Sequence, residues 1–476
     1  MLGVGCSLVN QHLANYMIWD AIRALDYLQT REEIDFNRVA AFGNSGGGMQ
    51  SAYLMALEER LFCAVASCYF TTLPQMLSSS GPQDAEQHFF CQSSEGFQLA
   101  DFLISFAPKP VLIGAARQDY FPFSGTEEIY QDAKKAYQIE GQTSSIELSA
   151  HDHRHGLHPP LLTACCKWLT EQLTDHAYQE FPPESLPRLD VNSAQCTLAG
   201  QTMLLPGAKS VYDMNLEVEA ELERQREQHW QTHTRESNLE TIRKLARISP
   251  YNEITTPHIE QRGSAFLWGY RLTRFDFQVE PGITLNLLWC EANSPAQGVT
   301  IYLHPQGISE ELQRGSRVHR LLSSGHSVLI LEPRGTGSNE DLSLVWKHRE
   351  LGPEAQGATL AYLTGRTYTG MQTDDVQALL KAIAAGLLPV EIEKESLFTL
   401  EAYHELTIPA LHAAALHAER FNKVILHEGL DSWSCLLSHP VPGTAHTHTV
   451  QRALTVYDLP DLKQILGEKL IEQAEY

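Results

Sequence analysis

The stretch RVAAFGNSGGGMQ (Arg38–Gln50) combines a short apolar run, a glycine-rich turn and the start of an apolar helical pattern. Val39–Phe42 has the length of a buried strand, and the next five residues fit G-x-S-x-G with Ser45 at the centre. A strand, this turn and a helix in that order predict a nucleophile elbow, in which a tight bend lifts the serine hydroxyl clear of the sheet. The elbow residues around the serine are Gly43, Asn44, Gly46 and Gly47.

The glycines of this turn have separate predicted roles. So tight a bend leaves no room for side chains two residues before and two residues after Ser45, and we therefore expect Gly43 and Gly47 to be required. The backbone N–H of Gly46 is expected to point at a developing oxyanion. On the motif alone, a glycine-rich loop without a catalytic role is the alternative interpretation.

Two downstream residues could complete a catalytic triad. A serine hydroxyl is a weak nucleophile and needs a base, which in turn needs a carboxylate to hold it. Asp119 follows the apolar run PVLIGA at 110–115, and His155 follows a short strand pattern at 146–149. Both are expected at the carboxyl ends of strands, in the chain order serine, acid, histidine.

Three other carboxylates compete with Asp119 for the role of the acid. Asp132 lies inside a helix pattern, and Asp101 precedes its strand at the wrong end. Asp152 is too close in sequence to the predicted base. Asp119 therefore remains the expected acid.

The histidines offer a metal site as a further alternative. His151, His153 and His155 alternate, and a strand would place such residues on one face. A structural metal site would still need a fourth ligand, and we predict neither a metal nor a cofactor. His446 and His448 are weaker candidates and are expected to lie in a loop.

Composition and charge limit the classes of partner. The chain has 476 residues, 43% of them apolar, and its net charge of −23 argues against binding the nucleic-acid backbone or an anionic membrane. Neither a membrane span nor a signal peptide is predicted, which favours a cytoplasmic protein unless the natural chain begins further upstream. Nine cysteines without C-x-x-C predict no disulfide or zinc framework. The oligomeric state is not predicted.

Strand and helix patterns alternate through residues 1–175, which predicts an α/β fold with a mostly parallel sheet and helices on both faces. We interpret this region as the C-terminal part of a catalytic hydrolase unit. The predicted helices are 13–29, 127–138 and 159–174, and the predicted strands after the elbow are 62–68, 110–115 and 146–149.

Residues 176–250 form a predicted linker between two units. Phe181–Pro187 is rich in proline, and residues 195–210 could form a small hairpin around Gly200. Residues 214–246 have a charged pattern at helical spacing, for which a solvated helix face is expected.

Residues 251–476 form a predicted second α/β unit. The run EPRGTG at 332–337 could suggest phosphate binding, but it lacks the Lys-Ser/Thr of a P-loop, so a strand-to-loop turn is expected. The predicted strands are 272–279, 283–290, 299–304, 327–331, 397–402 and 422–427, and the predicted helices are 318–324, 371–385 and 407–417.

An internal repeat connects the two units. ALHAERFNKVI (415–425) matches ALEERLFCAVA (56–66) at a constant offset of 359 residues. At this offset His404 occupies the position of Ser45, and both flanking glycines are lost. We therefore expect a degenerate, non-catalytic second unit without the elbow, which ends before any strand comparable to 110–115.

The two units are incomplete in opposite senses, since the first lacks the early strands of such a sheet and the second lacks the last ones. The chain could be a truncated tandem, or its halves could complement each other. Complementation would place Val299–His304 beside the nucleophile strand. Duplicated strands would then compete for the same places, so sheet adjacency favours the truncated tandem.

Three motifs carry a resemblance to a known family. At RVAAFGNSGGG, at VLIGAARQDYFPFSGTEEIY and at the HG of 155–156, residues 5–172 resemble the acetyl-xylan-esterase and prolyl-oligopeptidase-like branch of the α/β-hydrolases. PGAKSVYDMN (206–215) looks like the bridge in tandem members, and YDLPDL (457–462) resembles the same family in the second unit. The resemblance implies an α/β-hydrolase fold in which Ser45 is the nucleophile, Asp119 the orienting acid and His155 the base.

The resemblance also implies a substrate class. It favours deacetylation of carbohydrate esters by a serine esterase, with a carbohydrate or other small ester as the partner. An inactive remnant that acts as a binding module is one alternative. A serine peptidase is another, because esterases and peptidases share the triad.

Overall fold

The computed structural model describes residues 2–180, 189–293, 297–339, 354–388, 392, 397–438 and 447–473. The chain divides into two compact units, His12–Val211 and a second unit made of Met1–Gln11 with Tyr212–Tyr476. Helix α1 (Leu2–Leu8) belongs with the second unit, because Leu8 is buried in that unit's core. This grouping differs from the predicted boundaries at 175 and 250. The proline-rich linker 181–187 lies outside the described residues.

The first unit contains a four-stranded parallel sheet in the order β1-β2-β3-β4. The strands are β1 (Ala40–Asn44), β2 (Cys63–Ser67), β3 (Val111–Ala116) and β4 (Ile146–His151). The helices are α2 (Leu13–Gln29), α3 (Gly46–Leu57), α4 (Leu73–Ser79), α5 (Ala100–Phe106), α6 (Phe123–Ile139) and α7 (Pro159–Leu173).

Side-chain alternation in the central strands gives this sheet two covered faces. Ala64 and Ala66 of β2 pack in a core with α2, α3, α5 and α6, whereas Cys63 and Val65 pack in another with α7. Successive side chains of a strand point to opposite faces, so a strand buried on both faces is apolar throughout. The parallel sheet with helices on both faces agrees with the prediction.

The predicted hairpin at 195–210 is wrong. Within 189–210 the structure has turns and one short 3₁₀ helix, Thr202–Leu204, and no strand. Gly200 has a positive φ of 65°, so the turn signal was correct, but the flanking residues do not pair.

The second unit contains an eight-stranded sheet in the order β12-β11-β10-β8-β9-β7-β6-β5. Strands β8 to β12 pair in parallel, and β5, β6 and β7 form an antiparallel extension beside β9. The strands are β5 (His258–Leu267), β6 (Tyr270–Glu280), β7 (Ile283–Glu291), β8 (Gly298–Leu303), β9 (His326–Glu332), β10 (Phe398–Tyr403), β11 (Phe421–His427) and β12 (Leu470–Gln473).

In the second unit, helices α8 and α9 precede the first strand of the sheet, and α10 to α16 lie between its later strands. Their bounds are α8 (Val211–Thr232), α9 (Arg235–Leu245), α10 (Ile308–Glu311), α11 (Arg317–Ser323), α12 (Ala355–Leu363), α13 (Tyr368–Ala385), α14 (Thr407–Leu416), α15 (Cys435–Ser438) and α16 (Leu459–Leu466). In the described ranges, no helix is both long enough and apolar enough to cross a membrane.

Strand β8 decides between the two arrangements of the halves. It pairs with β9 along one edge and with β10 along the other, both in the second unit. The alternative in which 299–304 lies beside the nucleophile strand is therefore wrong. The truncated tandem stays a prediction.

Two strands of the second unit were missed. Strand β5 is mostly exposed and lacks an apolar run that would identify it. Strand β12 pairs with β11 as β3 pairs with β2, so the expectation that the second unit ends before such a strand is wrong. With four residues ending in Glu-Gln, β12 is too short and polar to be recognised from its own pattern.

The charged segment 214–246 also differs from its prediction, because it is not uniformly solvated. Glu219 and Arg226 of α8 are buried and form an ion pair of 2.7 Å. Burying a charge is costly unless it is paired, and the pairing explains how this helix packs against the core despite its composition.

Candidate active site

Ser45 lies at a sharp bend between β1 and α3. Its backbone has φ 58° and ψ −119°, which is rare for a residue with a β-carbon, and its N–H donates to Ser67 O at 2.8 Å. Gly46 begins α3, so its N–H belongs to the first helical turn, where N–H groups have no partner within the helix. The bend therefore places a strained serine directly before a helix whose first N–H groups have no partner within the helix, as the motif predicts.

The glycines around the bend are required for different reasons than the motif suggests. A β-carbon at Gly43 would overlap the backbone of Gly47, and one at Gly48 would lie 2.8 Å from Ser67 O. At Gly47 a β-carbon would meet open space, so the expected steric need at that position is wrong. The restriction lies where β1 and β2 approach the start of α3.

Asp119 and His155 form a direct contact. The ring atom Nδ1 of His155 lies 2.8 Å from Asp119 Oδ1 and 3.0 Å from Oδ2. The Asp119 side chain is almost fully buried and also accepts a hydrogen bond from the backbone N–H of Phe121. Because a carboxylate accepts, Nδ1 carries the proton, and Nε2 of the neutral ring is left as an acceptor.

Tyr120 contacts the predicted base. Its hydroxyl is 3.2 Å from His155 Nε2. The centroids of the two rings are 4.4 Å apart, and burial raises the pKa of the Tyr120 hydroxyl, which keeps it protonated. Within the described residues, the hydrogen-bond partner of Nε2 is this hydroxyl and not Ser45.

Cys68 is a second neighbour of the acid and base that the sequence did not indicate. Ligand atoms of Cys68, Asp119 and His155 lie within 4.8 Å of one another, the spacing of a possible metal site. Burial raises the pKa of the Cys68 thiol, however, and the thiolate is the form that binds metals. The carboxylate and the imidazole are already hydrogen-bonded to each other, so this group fits a metal poorly.

The rival acids have other partners. Asp132 pairs with Lys135 on the surface of α6 at 2.7 Å, and Asp101 accepts a hydrogen bond from the backbone N–H of Gln98. Asp152 accepts from the Gln118 amide at 2.8 Å. None of these contacts involves His155.

The alternating histidines do not share a strand face. β4 ends at His151, so His153 and His155 lie in the following turn, and the premise of that metal site is wrong. His448 is fully buried and bonds Gln372 at 2.8 Å, as expected for a structural histidine. His446 lies outside the described residues.

Side chains of the protein itself fill the turn at 332–337. The Glu332 carboxylate accepts hydrogen bonds from the N–H of Ile308 and from Ser338, and Arg334 is buried against Asp375. A carboxylate at the centre of the turn would repel a phosphate. The turn is therefore structural, as predicted.

The missed residues, Tyr120 and Cys68, carry no motif. Tyr120 directly follows Asp119, and Cys68 lies at the end of an apolar strand, where a buried thiol is ordinary. Cys68 has φ 50°, but a backbone angle has no sequence signature.

Comparison with known proteins extends this description. Residues 7–101 match the model of the prolyl oligopeptidase family, a segment that includes Ser45 and ends before Asp119. "Putative hydrolase YtaP" of Bacillus subtilis (strain 168) is 24% identical over 127 residues. That match covers 26% of this chain and 42% of the relative, so the chain spans less than half of the relative's length.

The solved structures to which this chain is similar include two esterases. A "putative acetyl xylan esterase" from Bacteroides fragilis NCTC 9343 has 12% identity and a TM-score of 0.41, with 50% of this chain and 67% of that chain covered. A glucuronoyl esterase from Solibacter usitatus has 14% identity and a TM-score of 0.35, with 61% and 81% covered.

The family match confirms the resemblance and the fold class predicted from the sequence. The interpretation of the chain as a tandem with a degenerate second unit stays a prediction. Residues 7–101, which contain the strand, elbow and helix around Ser45, are similar to the prolyl oligopeptidase family, and the fold of this unit is α/β-hydrolase-like.

Proposed function

We propose that the first unit is a serine hydrolase that cleaves carboxylic esters through a Ser45 acyl-enzyme, with acetyl esters of carbohydrates as substrates. The observation that carries the proposal is the 2.8 Å hydrogen bond between Asp119 and His155. These residues are 36 positions apart and follow β3 and β4, at the same sheet edge as Ser45. The family match supports hydrolysis, and the sequence resemblance supports the ester substrate.

The proposed reaction has two stages. His155 Nε2 takes the proton of Ser45 Oγ as this oxygen attacks the ester carbonyl carbon, and Asp119 stabilises the imidazolium that forms. The N–H of Gly46 donates to the oxyanion. The bond to the alcohol then breaks, and His155 returns its proton to the departing oxygen.

In the second stage His155 accepts a proton from water, and the resulting oxygen nucleophile attacks the acyl-Ser45 carbonyl. The bond to Oγ breaks, the carboxylic acid leaves, and the proton returns to Ser45. Both stages need Nε2 as the acceptor, so the Tyr120 hydroxyl has to release this atom before each transfer.

Covalent labelling tests the nucleophile. A fluorophosphonate probe reacts with a serine that a neighbouring base activates, so we expect one labelled serine in the full chain and none in Ser45→Ala. Peptide mapping of the labelled chain identifies the modified residue. Labelling that persists in Ser45→Ala would contradict the proposal.

Paired substrates test the chemical class. We expect release of acetate from an acetylated xylo-oligosaccharide and no release of amine from a peptide amide, both at pH 7.5. The reverse result would assign the unit to the peptidases of the same family. Loss of acetate release in Ser45→Ala shows that the activity belongs to this site.

One observation favours a different class of function, a non-catalytic binding module. The Tyr120 hydroxyl is hydrogen-bonded to His155 Nε2, the atom that would deprotonate Ser45. If neither wild type nor Tyr120→Phe reacts with the fluorophosphonate, the first unit is an inactive module. Labelling of either protein rejects this alternative.

A further inference from the structure

The second unit repeats the backbone bends of the first. His404 follows β10 with φ 50°, as Ser45 follows β1 with φ 58°. Glu428 follows β11 with φ 52°, and Cys68 follows β2 with φ 50°. Such angles are uncommon for residues with a β-carbon and mark positions where side chains have a special orientation. The second unit thus keeps a positive φ at this position, although the serine and both flanking glycines of the elbow are absent.

The neighbouring strand supports this correspondence. Glu428 N–H donates to Gln473 O of β12 at 3.1 Å, and Cys68 N–H donates to Gly114 O of β3 at 2.9 Å. The same hydrogen bond thus closes the bend in both units. What differs is the side chains that the bends carry.

The two strained residues of the second unit bond each other. His404 Nδ1 lies 3.1 Å from a Glu428 carboxylate oxygen, and both side chains are partly exposed. Because the carboxylate accepts, the neutral ring has its proton on Nδ1 and a lone pair on Nε2. Within the described chain, Nε2 of His404 has no protein hydrogen-bond partner, and the side chain as a whole is partly exposed beyond the carboxyl end of β10.

His304 supplies the opposite hydrogen-bonding group. It follows β8, and its ring centroid lies 6.0 Å from that of His404. The backbone N–H of Gln306 donates to His304 Nδ1 at 3.3 Å, so the proton of the neutral ring is on Nε2. Burial lowers the pKa of His304 and keeps the ring neutral.

Tyr403 provides a fixed aromatic ring beside these imidazoles. Its centroid lies 5.0 Å from that of His304, and its ring stacks on His427 at 4.0 Å. The Tyr403 hydroxyl donates to the buried carboxylate of Glu401, which also pairs with Arg317. This network holds the ring in one position.

We propose that His304, Tyr403, His404 and Glu428 form a binding site for a neutral carbohydrate. A sugar hydroxyl is both a donor and an acceptor, so neighbouring hydroxyls can donate to His404 Nε2 and accept from His304 Nε2–H. Tyr403 stacks on His427 and contacts His304, so it holds the His304 ring in place. The site lies where open α/β sheets bind their ligands, beyond the carboxyl ends of β8, β10 and β11.

The local charge excludes other ligand classes. Glu428 lies beside His404 at the carboxyl ends of the strands, and its carboxylate disfavours an anion there. In the part of the chain that the structure describes, Cys68, Asp119 and His155 are the group whose ligand atoms approach within 4.8 Å. His304, His404 and Glu428 do not converge in this way around a single ion.

Calorimetric titration of the full chain with xylotetraose tests the site. This probe is neutral and carries no ester. We expect saturable binding that weakens about tenfold or more in His404→Asn, a change of about 1.4 kcal/mol or more. Asparagine tolerates a positive φ, so this variant keeps the bend while it removes Nε2.

Two controls give the titration its meaning. Glu428→Gln should weaken binding by a smaller factor, because the amide oxygen can still accept from Nδ1. His326→Ala, at the start of β9 and thus at the opposite end of the strands, should bind within twofold of wild type.

Several outcomes would overturn the proposal. They are an absence of saturable binding and equal affinity in wild type and His404→Asn, which would assign the sugar to another part of the chain. Binding of Zn²⁺ that depends on His404 would identify the site as a metal site and not as a carbohydrate site. Circular dichroism of each variant separates lost binding from lost folding.

Discussion

The residues that follow β1 and β10 both have a positive φ, but the sequences around them are dissimilar. In the first unit GNSGG surrounds Ser45, and in the second AYHEL surrounds His404. Ala402 stands where Gly43 stands in the first unit, and it is completely buried. A left-handed residue at this bend therefore does not by itself require glycine two residues earlier.

The start of the next helix explains the difference. Helix α3 begins at Gly46, directly after the serine, and brings the Gly47 backbone against Gly43. Helix α14 begins at Thr407 after a 3₁₀ turn, two residues later at the repeat offset. This delay leaves room for a β-carbon.

The side chains diverge accordingly. In the first unit a buried carboxylate fixes an imidazole whose other nitrogen faces a hydroxyl. In the second unit the imidazole itself stands at the bend, and its carboxylate comes from the next strand. One arrangement is suited to proton transfer from a nucleophile, and the other to hydrogen bonding with a ligand.

The largest expected effect separates these two arrangements. Asp119→Asn removes the carboxylate that fixes the tautomer of His155, so we expect acetate release to fall about 10³–10⁴-fold. Glu428→Gln, the matched change in the second unit, should leave acetate release within twofold. The measurement is kcat/KM on an acetylated xylo-oligosaccharide for both variants. A comparable loss in Glu428→Gln would show that the second bend takes part in ester cleavage.

The next effect concerns the stability of the two bends. Gly43→Ala forces a β-carbon into the Gly47 backbone, and overpacking of this kind costs about 3 kcal/mol or more of the free energy of unfolding. Ala402→Gly removes a buried methyl group and adds backbone freedom, at about 1 kcal/mol. Urea unfolding of both variants measures the difference.

The reverse order of these two costs would refute the steric explanation. Gly47→Ala is the internal control, because a β-carbon there meets open space and its cost should stay below about 1 kcal/mol.

Much of the fold was predictable because its signals are local. Helix α2 was predicted at its observed bounds, and the parallel strands of both sheets except β12 were predicted within a few residues, since buried strands are continuous apolar runs between turn residues. Strand β5 failed this rule because its side chains are mostly exposed. Strand β12 failed it because four residues, two of them polar, give no period.

The site was predictable to the extent that chain order reveals it. Asp119 and His155 follow strands in the expected order, and the structure brings them into contact. Tyr120 was not predictable, since its position depends on how the turn after β3 directs its side chain. The bend at His404 was also missed, because the G-x-S-x-G motif predicts such a bend only where glycines flank it. A neighbouring strand and a later helix start can produce the same positive φ without those glycines.

A pH series compares the interiors of the two units. His412 and His88 are buried histidines, and burial lowers the pKa of each to about 4. The unfolded chain binds protons at these sites below about pH 6.5, whereas the folded chain does so only near pH 4. The two neutral histidines therefore contribute their full stabilisation above about pH 6.5, and the free energy of unfolding falls as the pH drops towards 4. At pH 5 each histidine should have lost about 2 kcal/mol.

Calorimetric melting between pH 7.5 and 5 measures this loss. His412→Gln should be less stable at pH 7.5, because the ring bonds Ile408 O and the Tyr457 hydroxyl, but its stability should depend less on pH. His88→Gln should flatten the dependence of the first unit alone. Unchanged slopes in both variants would mean that other groups cause the acid sensitivity.

The smallest expected effect concerns Tyr120. Its hydroxyl competes with Ser45 for His155 Nε2, so Tyr120→Phe frees the base without removing any group that the proposed reaction uses. We expect kcat/KM to stay within about threefold of wild type, whereas loss of an oxyanion donor costs about 10²–10³-fold in kcat. A fall of that size would make the Tyr120 hydroxyl a catalytic donor. Phe121→Leu, at the adjacent ring, controls for altered packing around the imidazole.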